Sequence, residues 1–251
     1  MSLLSVSTSV LGSTLALWQG SMRRHAARIP QQPLRLYDIE ACPYCRRVRE
    51  TLTELDLDAL ILPCPKNGTR FRPEARERAG RSQFPLLVDP NTGTTLLESA
   101  DILAYLHRTY GRGPRTQAAP LRVLAELRAT LASAARPGQG LRARASRAPA
   151  QPLELFSFES SPYSRLVRER LCELELPYLL RNTGKARATD IGPPVMRDAL
   201  WKAPAGTSRN RRWLLEQTGK VQVPYLVDAN TGQAMYESAA ILAYLERQYA
   251  A

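Results

Sequence analysis

The apolar positions change period along the chain in a set order, and the order then repeats. Leu34-Arg35-Leu36-Tyr37 alternates like a half-buried strand, after which Val48, Leu52 and Leu55 recur at helical spacing. Pro43 suits the first turn of that helix, so Cys42-Pro43 opens it and it runs to about Leu55. Leu60-Ile61-Leu62 reads as a buried second strand, and residues 63–82 as a loop with room for one short helix. Leu86-Leu87-Val88 and Thr94-Thr95-Leu96-Leu97 flank Asp89-Pro90-Asn91-Thr92-Gly93, which holds the turn residues of a hairpin. Ser99 is placed to N-cap a last helix with Ile102, Leu103 and Leu106 on its apolar face. The predicted order is βαβαββα.

The run Leu36-Tyr37-Asp38-Ile39-Glu40-Ala41-Cys42-Pro43-Tyr44-Cys45-Arg46 returns as Leu155-Phe156-Ser157-Phe158-Glu159-Ser160-Ser161-Pro162-Tyr163-Ser164-Arg165. Gln83-Phe84-Pro85 is matched by Gln222-Val223-Pro224, and Glu98-Ser99-Ala100 by Glu237-Ser238-Ala239. A repeat of roughly 75 to 100 residues is a duplicated globular unit rather than a solenoid. The chain therefore divides into a leader (1–33), a first domain (34–111), a linker (112–151) and a second domain (152–251). The second domain carries an insertion near residues 185–209, with Ile191-Gly192-Pro193-Pro194 and Trp201, which reads as a surface excursion. The linker contains a helix from Leu121 to Ala135, whose Leu121, Leu124, Leu127 and Leu131 offer an apolar face to either domain. With 251 residues and 44% hydrophobic content the chain buries two modest cores, and no apolar run is long enough to span a bilayer.

The net charge of +12 suggests nucleic acid until it is located. Residues 1–37 hold four basic and no acidic side chains, and residues 112–150 eight basic and one acidic, so +11 of the +12 lies in leader and linker. The domains are nearly neutral and no nucleic-acid partner is expected; an arginine-rich solvated connector is the plainer reading. Residues 1–28 are rich in Ser and Leu, lack acids and include Arg23, Arg24 and Arg28, the composition of a transit peptide to a chloroplast or mitochondrion. The same stretch equally forms a helix packed on a domain through Leu3, Leu4, Val10, Leu11, Leu15 and Trp18. On that second reading the compartment is cytoplasmic, which suits four cysteines with no secreted disulfide pattern.

Cys42-Pro43-Tyr44-Cys45, Pro85 before a strand, and Glu98-Ser99 at the last helix together resemble glutaredoxins and the N-terminal domain of glutathione S-transferases. The resemblance covers both domains and implies two tandem thioredoxin-like α/β folds joined by a helical basic linker. A cysteine at a helix mouth has its thiolate favoured by unpaired amides and the helix dipole. Cys42 is the candidate nucleophile, Arg46 and Arg47 add positive charge nearby, and Cys45 is spaced to resolve a mixed disulfide at Cys42. Zinc binding or inert burial is the alternative, but no second Cys pair or nearby His completes a ligand set, so no metal is expected. Cys64 reads as incidental and Cys172 as core, and His25 and His107 give a Ser/His hydrolase little to stand on.

The resemblance implies a cis Pro85, although a proline at the first residue of a strand is also ordinary in trans. It further implies that Phe84 backbone holds the cysteinyl part of glutathione and that Glu98 and Ser99 bind its γ-glutamyl end. Tyr44 packs beside the bound thiol or fills surface. The second-domain equivalents are Ser161, Ser164, Val223, Pro224, Glu237 and Ser238. Ser161 either stabilises a glutathione thiolate, as a serine does in some transferases, or simply N-caps the helix beginning at Pro162.

The expected activity is glutathione-dependent thiol–disulfide exchange through Cys42 and Cys45. Glutathione is the co-substrate, glutathionylated or disulfide species are the substrates, and the second domain is redox-inactive, binding glutathione or serving as support. Two alternatives stand beside it: a non-catalytic scaffold binding glutathione or a partner, its domains packed as an intramolecular pseudo-dimer, and a minimal transferase using Ser161. The resembled transferases carry an all-helical domain for which this chain shows no counterpart, which weighs against the last. Iron–sulfur cluster assembly through Cys42 is a weaker option.

Overall fold

The computed structural model describes residues 2–24, 28–113, 118–187, 190 and 208–251. Helix α1 (Leu3–Leu15) leads into β1 (Leu34–Asp38), α2 (Pro43–Glu54), β2 (Ala59–Pro63), α3 (Arg72–Ala79), β3 (Leu86–Asp89), β4 (Thr94–Leu96) and α4 (Ser99–Tyr110). Helix α5 (Ala119–Ala134) connects to β5 (Leu153–Ser157), α6 (Pro162–Glu173), β6 (Tyr178–Asn182), α7 (Arg209–Thr218), β7 (Tyr225–Asp228), β8 (Gln233–Tyr236) and α8 (Ser238–Tyr249). Each half is a thioredoxin-like βαβαββα unit. The predicted insertion, Ile191-Gly192-Pro193-Pro194 and Trp201 included, lies almost entirely outside the described residues.

The halves are not beads on a string. Their strands form one eight-stranded sheet of order β4-β3-β1-β2-β6-β5-β7-β8, which reads the same from either end once equivalent strands are matched. The junction is antiparallel pairing of β2 with β6, Ala59 opposite Leu180 and Ile61 opposite Tyr178. Alone, each unit would end in a row of unpaired amides and carbonyls on that strand, and each supplies the other's missing neighbour.

Two modest cores are expected from the repeat; the structure merges the larger part of them. Leu36, Val48, Leu52, Ile61, Ile102 and Leu106 of the first half belong to the same buried cluster as Leu155, Val167, Leu171, Leu180, Ile241 and Leu245 of the second. On the other side of the sheet each half keeps a smaller cluster, Tyr37 and Leu86 under Ala75 of α3, and Phe156 and Tyr225 under Leu214 of α7. The strand alternation Leu36/Tyr37 and Leu155/Phe156 assigns one side chain to each side.

Beside this apolar junction lies a charged one. Arg49 of α2 bonds Asp38 at 2.6 Å within its own half and Glu159 of the other half at 2.9 Å. Arg168 of α6 reciprocates, reaching Glu40 at 3.1 Å and Glu159 at 3.2 Å. All these side chains are at most 3% exposed. Burial alone would raise the Glu159 carboxyl, yet Arg168, Arg49 and Arg46 hold it down at about 2.

Two expectations about the flanking helices need correction. The leader does form a packed helix, but the residues buried in it are Ser9, Gly12 and Ser13, with Ala16 just beyond, whereas Leu3, Leu4, Val10 and Leu11 are exposed. Gly12 lacks the Cβ that would collide with the Arg165 guanidinium, and serine hydroxyls bond carbonyls of the neighbouring segment, so a small polar face docks where a leucine face could not. Helix α5 likewise buries Ala129 and Ala132 and leaves Leu121, Leu124, Leu127 and Leu131 exposed. No helix among the described residues is long and apolar enough to cross a membrane.

Candidate functional site

Cys42 is the N-cap residue of α2 and is partly exposed, while Cys45, one turn on, is fully buried. The Cys42 thiol is lowered to about 7, first by the hydrogen bond from the Cys45 thiol, against the opposing effect of burial, with help from the amides of Cys45 and Tyr44. Cys45 is pushed well above its ordinary value by burial, then by its bond to Cys42 and by the Asp38 carboxylate. The pair is thus split into a sulfur that ionises near neutrality and one that keeps its proton.

Arg46 and Arg47 do not act as expected. Arg46 is drawn into ion pairs with Glu50 at 3.0 Å and Glu159 at 3.7 Å, and Arg47 pairs with Glu126 of α5 at 3.0 Å. Both have their charge matched by carboxylates, and the groups that lower Cys42 are the Cys45 thiol first and then the amides of Cys45 and Tyr44.

The other predicted residues converge through backbone register. Tyr37 of β1 stands opposite Leu86 of β3, so Phe84 and Pro85 lie beside the end of β1, from which the chain runs into Cys42. The Phe84–Pro85 and Val223–Pro224 bonds are both cis. Gln83 donates to the Glu98 carboxylate at 2.5 Å and Gln222 to Glu237 at 2.6 Å, tying each proline loop to the head of the last helix of its half. Ser99 is not the N-cap: it is the first residue of α4, and the cap position belongs to Glu98, with Ser238 and Glu237 in the same relation in α8. Both glutamates have positive φ, 65° and 67°, a conformation a residue with Cβ rarely adopts. Strain kept at the same place in both halves is the kind found where a ligand is clamped. Tyr44 is 52% exposed, on the surface.

In the second half Ser161 caps α6, its Oγ accepting from the Ser164 amide at 3.3 Å and the Ser164 hydroxyl at 2.8 Å. It is only 3% exposed. The N-terminal segment lies over it: Ser9 donates to the Pro162 carbonyl at 2.7 Å, Ser13 to the Ser160 carbonyl at 3.0 Å, and the Ser160 amide to the Gly20 carbonyl at 3.4 Å. Ser161, Val223, Pro224, Glu237 and Ser238 all face one cavity of about 1160 Å³. Cys64 and Cys172 are buried, and burial raises both thiols.

Sequence reasoning passed over Trp18 as a wall of this cavity and the Arg49–Glu159 and Arg168–Glu40 pairs behind both helix mouths. The second omission had a signal, since Glu40 and Arg49 recur as Glu159 and Arg168 at the same places in the repeat.

A thioredoxin-like unit with a cis-proline loop and a strained Glu-Ser at its last helix, present twice, defines the class. The family model of the glutathione S-transferase N-terminal domain matches residues 36–115 and again 155–251, and the chain belongs to that family. Among solved structures, the Bombyx mori glutathione transferase BmGSTD1 is 32% identical over 34% of this chain and 39% of its own, with a TM-score of 0.31. Leishmania TDR1, described as a unique trimeric glutathione transferase, is 13% identical over 86% of this chain and 67% of its own, with a TM-score of 0.30. This chain thus spans well under half the length of the first. No curated protein sequence matches it.

Proposed function

We propose that the first half is a glutathione-dependent thiol–disulfide oxidoreductase. The observation that carries this is the split pair at the α2 mouth, a partly exposed Cys42 ionising at about 7 beside a buried, protonated Cys45. The Cys42 thiolate attacks the glutathionyl sulfur of a mixed disulfide, the S–S bond breaks, and the substrate leaves as its thiolate. Cys42 then carries glutathione through a new S–S bond. A second glutathione thiolate attacks that glutathionyl sulfur, releasing glutathione disulfide and Cys42; alternatively Cys45, once deprotonated, attacks Cys42 and releases glutathione. The Phe84 backbone beside Pro85 would hold the cysteinyl part, and Glu98 and Ser99 the γ-glutamyl end.

The second half has no sulfur at Ser161 or Ser164 and keeps the proline loop and Glu237-Ser238, so we read it as a redox-inactive glutathione-binding unit. With the first half it makes an intramolecular pseudo-dimer. Such chemistry belongs to a reducing compartment, and the cytoplasm suits it. The test is Cys42→Ser assayed on a glutathionylated peptide with glutathione in excess: turnover should vanish, whereas Cys45→Ser should retain it through the glutathione route. Undiminished turnover in Cys42→Ser would overturn the proposal.

A further inference from the structure

Helices α1 and α5 are one element of the repeat, met twice. The buried positions Ser9, Gly12 and Ala16 recur 120 residues on as Ala129, Ala132 and Arg136, which are buried too. The chain after each helix keeps the same register, since Met22 bridges Lys185 and Arg142 bridges Lys66, the counterpart of Lys185. Each helix packs on the other half, α1 on α6 and α5 on α2, and the two also meet each other. Their closest approach is at Gly12, where a Cβ would fall 3.0 Å from the Ala132 carbonyl oxygen. The two-fold relation of the halves, set by the antiparallel β2–β6 seam, therefore relates α1 to α5 and turns their outer faces the same way.

Those outer faces are apolar. At about 100° per residue, Leu4 and Leu11 lie opposite the buried side of α1, and Val123, Leu127 and Leu131 opposite that of α5. Three of the positions repeat: Leu3, Leu4 and Leu11 are 50–88% exposed, and their counterparts Val123, Leu124 and Leu131 are 43–61% exposed. Single exposed leucines are ordinary, but leucines at equivalent points of two touching helices make a continuous patch of the kind that marks an interaction site. Helix α1 has no charged side chain, and Glu126, the one acid of α5, is engaged by Arg47.

Charge selects the partner. Leader and linker hold +11 of the net +12, and Arg112 before α5 and Arg122 in its first turn are exposed and enter no ion pair among the described residues. Two copies meeting through this face would bring their arginine-rich segments together, whereas an anionic lipid surface attracts them. At 13 and 16 residues the helices are too short to span a bilayer but long enough to lie in its plane. We infer that α1 and α5 form a docking surface for anionic membranes, their leucines entering the headgroup boundary and the flanking arginines meeting lipid phosphates. This surface is independent of the reaction at Cys42.

The test is co-sedimentation of the full chain with phosphatidylcholine vesicles, with and without phosphatidylglycerol. Binding should be at least about tenfold stronger with the anionic lipid and should weaken as salt is raised. Leu4→Ser/Leu124→Ser, at exposed positions outside the core, should weaken binding to the anionic vesicles at least about tenfold. Leu11→Ser/Leu131→Ser gives a second reading of the same face. Arg112→Glu/Arg122→Glu should match that loss, while Arg212→Glu, on α7 across the sheet, should stay within about threefold. Binding to neither vesicle, equal binding to both, or binding indifferent to both leucine pairs overturns the inference. A dimer in sedimentation equilibrium that the leucine variants abolish, with no vesicle binding, overturns it as well and gives the face to a second copy.

Discussion

The mouths of α2 and α6 are built on the same plan and differ in what occupies them and what covers them. At α2 the cap is a sulfur, partly exposed, with a second thiol beneath it that holds a proton. At α6 both positions are hydroxyls, and the N-terminal segment closes over them with hydrogen bonds to Ser160 and Pro162. The lesson is that reactivity and access change together. The exposed mouth leaves its sulfur open to a bulky partner, as the proposed exchange requires, and the other mouth is shut off from one by the N-terminal segment.

Behind the two mouths the charges are shared, though unequally. Among the described residues Glu159 forms ion pairs with Arg46, Arg49 and Arg168, and Glu40 with Arg49 and Arg168. Glu159→Gln should therefore be the most damaging of the changes considered for the comparison, toward the low end of the roughly 3–5 kcal/mol of a broken buried pair, because Arg46, Arg49 and Arg168 all lose a shared carboxylate and are left with Glu50, Asp38 and Glu40. Urea unfolding should show a smaller loss for Glu40→Gln, and equal losses would mean that the third arginine contributes nothing.

Cover is tested by putting sulfur under it. In Ser161→Cys/Ser164→Cys the new thiol at position 161 should be alkylated by iodoacetamide at least about tenfold more slowly than Cys42, as expected for a site enclosed by α1. Equal rates would show that the N-terminal segment does not shield the second mouth.

The smallest expected effect concerns the origin of the Cys42 thiolate. Alkylation of Cys42 should slow as pH falls through about 7, where the thiolate gains its proton. Cys45→Ala removes the leading stabilising hydrogen bond, and the midpoint should rise by about one unit. An unmoved midpoint would assign the stabilisation to the helix amides alone.

Much of this was legible in the chain because it is local. Cys42-Pro43 opening a helix, the hairpin around Asn91-Thr92-Gly93 and the repeat of Glu98-Ser99 as Glu237-Ser238 are readable from neighbours and spacing. The cap assignment failed at Ser99 by one position, since a positive φ at Glu98 has no signature in a residue that is neither Gly nor Asn. The leucines of α1 and α5 misled because periodicity identifies an apolar face without saying what it meets, and here hydroxyl–carbonyl bonds and small side chains made the contact. The Arg49–Glu159 and Arg168–Glu40 pairs left a signal in the repeat but not the identity of their partners: they meet only once β2 lies beside β6, a pairing between residues some 120 positions apart.

That pairing has a consequence for how the protein can change. Two copies of an identical chain must carry the same residue at both of their sites, and they come apart on dilution. Here the partners are joined covalently, so their stoichiometry is one to one at any protein concentration. Each partner is also free to diverge. Sulfur could be kept on one side of the β2–β6 seam and exchanged for oxygen on the other while the seam itself stayed shut, giving one sheet two sites with different chemistry.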